Sequence, residues 1–282
     1  MPEGNILHRL ARVHRRWLVG RPFTADSPQG RFQAGAQRLS GRALEHVDAH
    51  GKHLFYRFEG GVRLHVHLGL VGTIRHFRLT APAPGPACRL RLASPQATLH
   101  LSGPLACELL TPQAEATLRA RLGEDPLRPD ASPARAFEAL RRGRAPLAAA
   151  LLDQERLAGV GNILRAEALF LARLPPLRPA SELSAADFER LWTHLRALME
   201  DAARDGRIVT PGAPATALDQ PGKRREDRFC VYGREGRPCP RCATPVTRVE
   251  LAGRGLFFCA HCQTRDGASA LAGGAVLSAP DV

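Results

Sequence analysis

Four cysteines are spaced to hold a metal ion: Cys239-Pro-Arg-Cys242 and Cys259-Ala-His-Cys262, separated by sixteen residues. Two such pairs can bring four thiolates into one tetrahedron around zinc. Val246, Val249 and Leu251 predict one strand between them, and Leu256, Phe257 and Phe258 a second. Gly253-Arg254-Gly255 then falls at the turn, which puts Arg254 near the tip of a zinc-binding β-hairpin. Two disulfides or a redox-active pair are the alternatives, and His261 is a spare ligand, although four thiolates suffice. A full thiolate set leaves no position for water, so the zinc is expected to be structural and to stabilise a unit with little core of its own.

A second chemistry is that of amines. The positive charge is carried by 38 Arg and only two Lys, Lys52 and Lys223. Lysine can lose its proton near neutrality and arginine cannot, so a lysine kept in so lysine-poor a chain is a candidate for chemistry. Lys223 lies in the run Lys223-Arg224-Arg225 and reads as solvated charge; chance retention is the alternative for Lys52. The other amine is Pro2. Once Met1 is removed, Pro2 is a terminal secondary amine titrating near 8, far more nucleophilic at neutral pH than a lysine. Its condensation with a sugar aldehyde gives an iminium, and Glu3 beside it can move protons. The alternative is that Pro2 and Glu3 simply start a helix.

A net charge of +13 and a pI near 10.7 imply a polyanionic partner. Nucleic acid is favoured over an acidic membrane, because no amphipathic anchor is visible and no run approaches the roughly 18 apolar residues of a membrane span. Glu3, His8 and Arg9 interrupt any secretory signal near the start, so a cytoplasmic, nucleoid-associated location is expected. Free thiols at Cys88, Cys107 and Cys230 fit a reducing compartment.

These residues need elements to position them. Ile6, Leu7, Leu10, Val13 and Trp17 predict an amphipathic leading helix whose opposite face carries His8, Arg9, Arg12, Arg15 and Arg16. From Ala43 to Leu68 the pattern alternates with period two, and Lys52 falls where a turn meets a strand. Short runs at 73–77, 88–92 and 97–101 complete an N-terminal β-sandwich over residues 1–112. No carboxylate or cysteine joins His65, His67 and His76 at a useful spacing, which disfavours a second metal site. A linker is expected over 113–130 and a helical domain over 131–222, with apolar faces at Ala136–Leu140, Leu147–Leu152, Ile163–Leu171 and Phe188–Leu198. Ser184 is expected to cap the last of these helices and Gly206 to follow its end. Leu157-Ala-Gly-Val-Gly-Asn162 sits between two helices, where glycines could expose N–H groups to a phosphate or merely end a helix. Residues 223–266 form the zinc unit and 267–282 a disordered tail. The fold class is therefore multi-domain α+β.

Taken together, Met1-Pro2-Glu3-Gly4, Gly51-Lys52-His53-Leu54, His67-Leu-Gly-Leu-Val-Gly72, Leu152-Asp-Gln154 with Gly159-Val-Gly-Asn162, and Tyr232-Gly-Arg234 through Gln263 resemble the formamidopyrimidine-DNA glycosylase and endonuclease VIII family, most closely its endonuclease VIII side. The resemblance implies a base-excision repair enzyme with a helix-two-turn-helix domain and double-stranded DNA in the cleft between its halves. In it, Pro2 attacks C1′ of the damaged nucleotide and Glu3 handles protons. Lys52 contacts phosphate and assists β-elimination. Asn162 and Arg254 hold phosphates around the flipped nucleotide. The family also gives the Arg254 position a proton-donor role in δ-elimination, although an arginine is physically a better clamp than an acid. Leu70 is the implied wedge that fills the space left by the extruded base, and with Pro-Glu-Gly it favours oxidised pyrimidines over 8-oxoguanine. Ile6 stands where relatives carry a second acidic residue. A monomer is expected. The rival reading is a non-catalytic zinc-ribbon DNA-binding protein.

Overall fold

A computed structural model describes residues 2–214 and 225–264. Lys223 and the tail expected at 267–282 lie outside the described residues. Helix α1 (Gly4–Leu18) leads, and its buried face is Leu7, Leu10, Ala11, His14 and Leu18. This differs from the expected stripe: Ile6, Val13 and Trp17 are only half-buried. The helix is wedged between two layers rather than lying on one. One side packs on the sandwich, where buried His14 bonds the Tyr56 hydroxyl at 2.9 Å and is held neutral by burial, its pKa lowered to about 3. On the other side Arg9 and Arg12 donate to carbonyls of Ala203 and Arg204, near the C-terminus of the last long helix. Cations at that end also meet the negative pole of the helix dipole.

The sandwich consists of two antiparallel four-stranded sheets. One has the order β1 (Thr24–Asp26), β6 (Cys88–Ala93), β7 (Ala97–Ser102), β5 (Thr73–Arg78). The other runs β2 (Leu44–His50), β3 (His53–Phe58), β4 (Val62–His67), β8 (Ala106–Leu110), with helix α2 (Gln33–Leu39) packed alongside β1. Alternation sends Val47, Leu54, Tyr56, Phe58, Leu64 and Val66 inward to meet Leu90, Leu92, Leu99 and Leu101. The pairing of His50 with His53 makes Gly51-Lys52 a two-residue turn, so a rigid hairpin end presents Lys52.

Helix α3 (Pro112–Arg121), capped by Thr111, occupies much of the stretch expected as a linker. The helical half comprises α4 (Pro133–Arg141), α5 (Leu147–Ala150), α6 (Asn162–Leu171) and α7 (Ala185–Asp205), around Leu151, Leu164, Leu169, Leu191, Leu195 and Met199. Ser184 caps α7 and Gly206, in the left-handed region, ends it, as the sequence predicts. The last hairpin pairs β9 (Thr247–Leu251) with β10 (Arg254–Phe258). Its turn is Ala252-Gly253, both with positive φ, so Arg254 is the first residue of β10 rather than part of the turn. Leu256 and Phe258 pack into the helical core, which joins the hairpin to that half. Among the described residues no helix is long and apolar enough to cross a membrane.

Candidate active site

A cavity of about 670 Å³ opens where the sandwich meets the helical half, and its wall includes Pro2, Lys52, Leu70, Gln154 and Arg254. Residues from the chain start, the β2–β3 turn, the β4–β5 loop, the loop before α6 and the zinc hairpin thus converge on one space. Glu3 lies behind this wall, fully buried. Its carboxylate accepts from the N–H groups of Gly161 (3.2 Å), Ile163 (2.8 Å) and Leu164 (3.1 Å). These are the unsatisfied donors at the start of α6, so a side chain 158 residues earlier caps that helix. Burial pushes the Glu3 carboxyl above its usual range, against the pull of those donors and of Lys52.

Of the two readings left open for Gly159-Val-Gly161, the one in which these N–H groups hold a phosphate does not apply here: Glu3 occupies them. Gly161 admits it, since a Cβ there would stand 2.3 Å from Glu3 Cδ. Gly4 serves the same approach. Its N–H donates to Gly159 O at 2.8 Å, and a Cβ on it would come within 2.7 Å of Gly159 Cα.

Lys52 donates from Nζ to Val160 O at 2.6 Å. Burial, reinforced by Arg254 and opposed by Glu3, lowers its pKa to about 8, so about a tenth of the amine is unprotonated at pH 7. Gln154, to which the sequence assigns no role, shares Val160 O at 3.0 Å and accepts from Gly159 N at 3.0 Å. Asn162 Nδ2 donates to Gly255 O at 3.0 Å, which ties the start of α6 to the hairpin beside Arg254.

Two further residues escape sequence reasoning. Asp125, in the expected linker, is buried and accepts from His8 Nε2 (2.6 Å), Gly51 N (2.7 Å) and Leu127 N (2.9 Å). It pins α1 and the Lys52 turn to one point, and the Asp-Pro-Leu run that held it reads only as a turn. Glu167, buried on α6, accepts from the N–H groups of Cys230, Val231 and Tyr232, holding the segment that leads into the zinc unit.

Leu70 is 63% exposed, so it is not a strand-end leucine buried in the sandwich. Val71 and Leu105 project beside it, with Leu105 packed on Gly69, and together they form an apolar tip over the cavity. Ile6 is half-buried against the sandwich core, and among the described residues no acidic side chain lines the cavity wall.

The four cysteine sulfurs lie within 4.8 Å of one another, the only such metal-holding group among the described residues. Cys239 and Cys262 Sγ are 3.9 Å apart and Cys242 and Cys259 Sγ 3.5 Å, close to the roughly 3.8 Å edge of a tetrahedral zinc–thiolate site. Backbone N–H groups of Arg241 and Cys262 point at Cys239 and Cys259 Sγ, which favours thiolates. The donor set fits one structural zinc. His65 bonds His53 and Glu108 instead of a metal, and His76 packs separately on Trp17.

A buried carboxylate, a lysine of lowered pKa, an arginine and a proline next to the chain start meet at one cleft, with a zinc-binding hairpin on its rim, as an enzyme that works on a polyanion would arrange them. Sequence comparison makes this specific. The formamidopyrimidine-DNA glycosylase N-terminal domain matches residues 1–105, the formamidopyrimidine-DNA glycosylase H2TH domain 122–211, and the zinc finger found in FPG and IleRS 236–265. The chain belongs to the formamidopyrimidine-DNA glycosylase family. It is 40% identical to Endonuclease 8 1 of Mycobacterium tuberculosis over 274 residues, covering 94% of this chain and all of that protein. It is also 40% identical to the formamidopyrimidine-DNA glycosylase of Thermus thermophilus over 228 residues, covering 79% and 83%. The crystal structure of MutM (Fpg) from Thermus thermophilus superposes with a TM-score of 0.74 at 34% identity, covering 93% of this chain and 98% of that one. Lactococcus lactis Fpg, in complex with DNA containing N7-benzyl-Fapy-dG, gives 0.78 at 25% identity, covering 94% and 100%.

Proposed function

We infer that the chain is a base-excision repair DNA glycosylase with abasic-site lyase activity, working through Pro2 once Met1 has been removed. The convergence of Pro2, Lys52 and Arg254 on one cavity, with Glu3 buried behind it, carries this reading. The Pro2 amine attacks C1′ as the glycosidic bond breaks and the base leaves with a proton. Glu3, held at the α6 N-terminus with a raised pKa, is placed to give and take protons beside that amine. The resulting iminium acidifies C2′–H; Lys52, partly unprotonated, assists its removal, and the 3′ phosphate departs. Arg254 and Asn162 hold the flanking phosphates. The guanidinium of Arg254 suits a phosphate clamp better than the proton donor of δ-elimination. Zinc, bound by Cys239, Cys242, Cys259 and Cys262, keeps the hairpin folded. Leu70 enters the stack where the damaged base has left, and its apolar tip fits the side of the family that removes oxidised pyrimidines. A place with the nucleoid in the cytoplasm accords with this substrate.

Borohydride reduction during incubation with abasic-site duplex tests the reading. Protein shown to begin at Pro2 should be trapped on DNA, and Pro2→Gly much less. No adduct would leave a zinc-ribbon DNA-binding protein without catalysis. In the same assay on duplexes differing only in the lesion, thymine glycol or dihydrouracil should be processed faster than 8-oxoguanine opposite cytosine; the reverse order would overturn the pyrimidine assignment.

A further inference from the structure

Arg165 is wholly buried, and among the described residues no carboxylate pairs with it. Its Nη1 reaches Ala148 O at 3.4 Å, its Nη2 bonds Asn162 Oδ1 and Gly255 O (3.3 Å), and its Nε is buried without an acceptor. Burial first, then the neighbouring Arg254, bring its pKa down to about 10, while Glu3, Tyr232 and Glu250 act the other way. A buried cation matched this poorly destabilises a fold, and an apolar side chain of like volume commonly serves better. Its contacts suggest what the charge is for.

Gly255 directly follows Arg254 in β10, and its carbonyl receives donors from both Asn162 (3.0 Å) and Arg165 (3.3 Å). Fixing that carbonyl holds the β10 backbone one residue beyond Arg254, whose side chain lines the cavity. Glu3, the stronger of the two carboxylates that act on Arg165, already has its oxygens engaged by the N–H groups of α6.

We propose that Arg165 is a positioning residue that locks Asn162 and the β10 backbone beside Arg254 into a phosphate-receiving arrangement, its own charge being matched when a DNA phosphate docks between them. This rests on the reading of Asn162 and Arg254 as phosphate contacts. The guanidinium fork holds Asn162 Oδ1 and Gly255 O through Nη2 while its Nη1 reaches Ala148 O; the single nitrogen of a lysine cannot span all three, so lysine is a poor substitute.

The test uses full-length zinc-loaded protein, a duplex bearing a tetrahydrofuran abasic-site analogue for affinity, and abasic-site duplex for turnover. Arg165→Met should melt, without DNA, at or above the wild-type temperature, yet bind the analogue duplex at least tenfold more weakly and gain less thermal stability from it. A parallel fall in melting temperature, zinc content and affinity would mean that Arg165 is only structural and would overturn the proposal. Should the methionine variant not fold, Arg165→Lys decides: binding at least tenfold weaker in a folded protein supports a need for the fork, and wild-type binding refutes it. Cleavage of abasic-site DNA by the wild type checks the proposed function separately. A wild type that cleaves, with Arg165→Met equal to it in affinity and turnover, would remove this inference and leave that function standing.

Discussion

Lys52 shows how burial changes the acid–base character of an ordinary side chain. Its amine has a backbone carbonyl at 2.6 Å, Arg254 nearby and little water, and its pKa falls to about 8. In the proposed role the free amine is the working form, and its share grows as pH rises through 8. A terminal proline amine titrates in the same region. The lyase rate should therefore rise below about pH 8 with a slope approaching two on logarithmic axes. Lys52→Arg keeps the charge and cannot deprotonate, so the slope should drop to one and turnover at least tenfold, with affinity for an uncleavable abasic duplex within a few-fold of wild type. Unchanged rate and slope in a pH series would reduce Lys52 to a phosphate contact.

Among the elements, α6 organises the site. Its N-terminus receives Glu3, its first residue reaches the zinc hairpin, and Glu167 on the next turn holds the segment entering the zinc unit. The α6 face therefore orients both the chain start and the hairpin. The β4–β5 loop is its counterpart on the sandwich, a short connection that carries Leu70 into solvent. An apolar wedge offsets part of the few kcal/mol lost when a base leaves the stack. Leu70→Ala should thus slow excision from duplex DNA about tenfold or more while changing excision from single strands little; equal slowing on both would deny Leu70 that role.

For the whole molecule, the sandwich has its own core, whereas the zinc hairpin borrows its core from the helical half and its stability from metal. Cys242→Ser, or treatment with a chelator, should release zinc and weaken DNA binding together, while most β-sheet signal in circular dichroism survives. Full lyase activity in zinc-free protein would contradict the hairpin's role. The positive charge is likewise partly structural. Arg9 and Arg12, on the face of α1 that reads as solvent-exposed, are used to dock α7.

What the sequence determined by itself is whatever depends on local spacing. The two Cys pairs, the period-two strands 44–68, the cap at Ser184 and the stop at Gly206 each need neighbours only a few residues away. Lys52 and Pro2 stood out because their amine chemistry is rare in an arginine-rich chain. Tertiary structure alone decided that Glu3 rather than a phosphate fills the α6 N-terminus, that Asp125 gathers His8 and Gly51, and that Arg165 is buried against the hairpin. Each of these joins groups tens to more than a hundred residues apart. A helix end or a buried charge takes whichever partner the packed chain brings within about 3 Å, and sequence pattern carries no record of that distance.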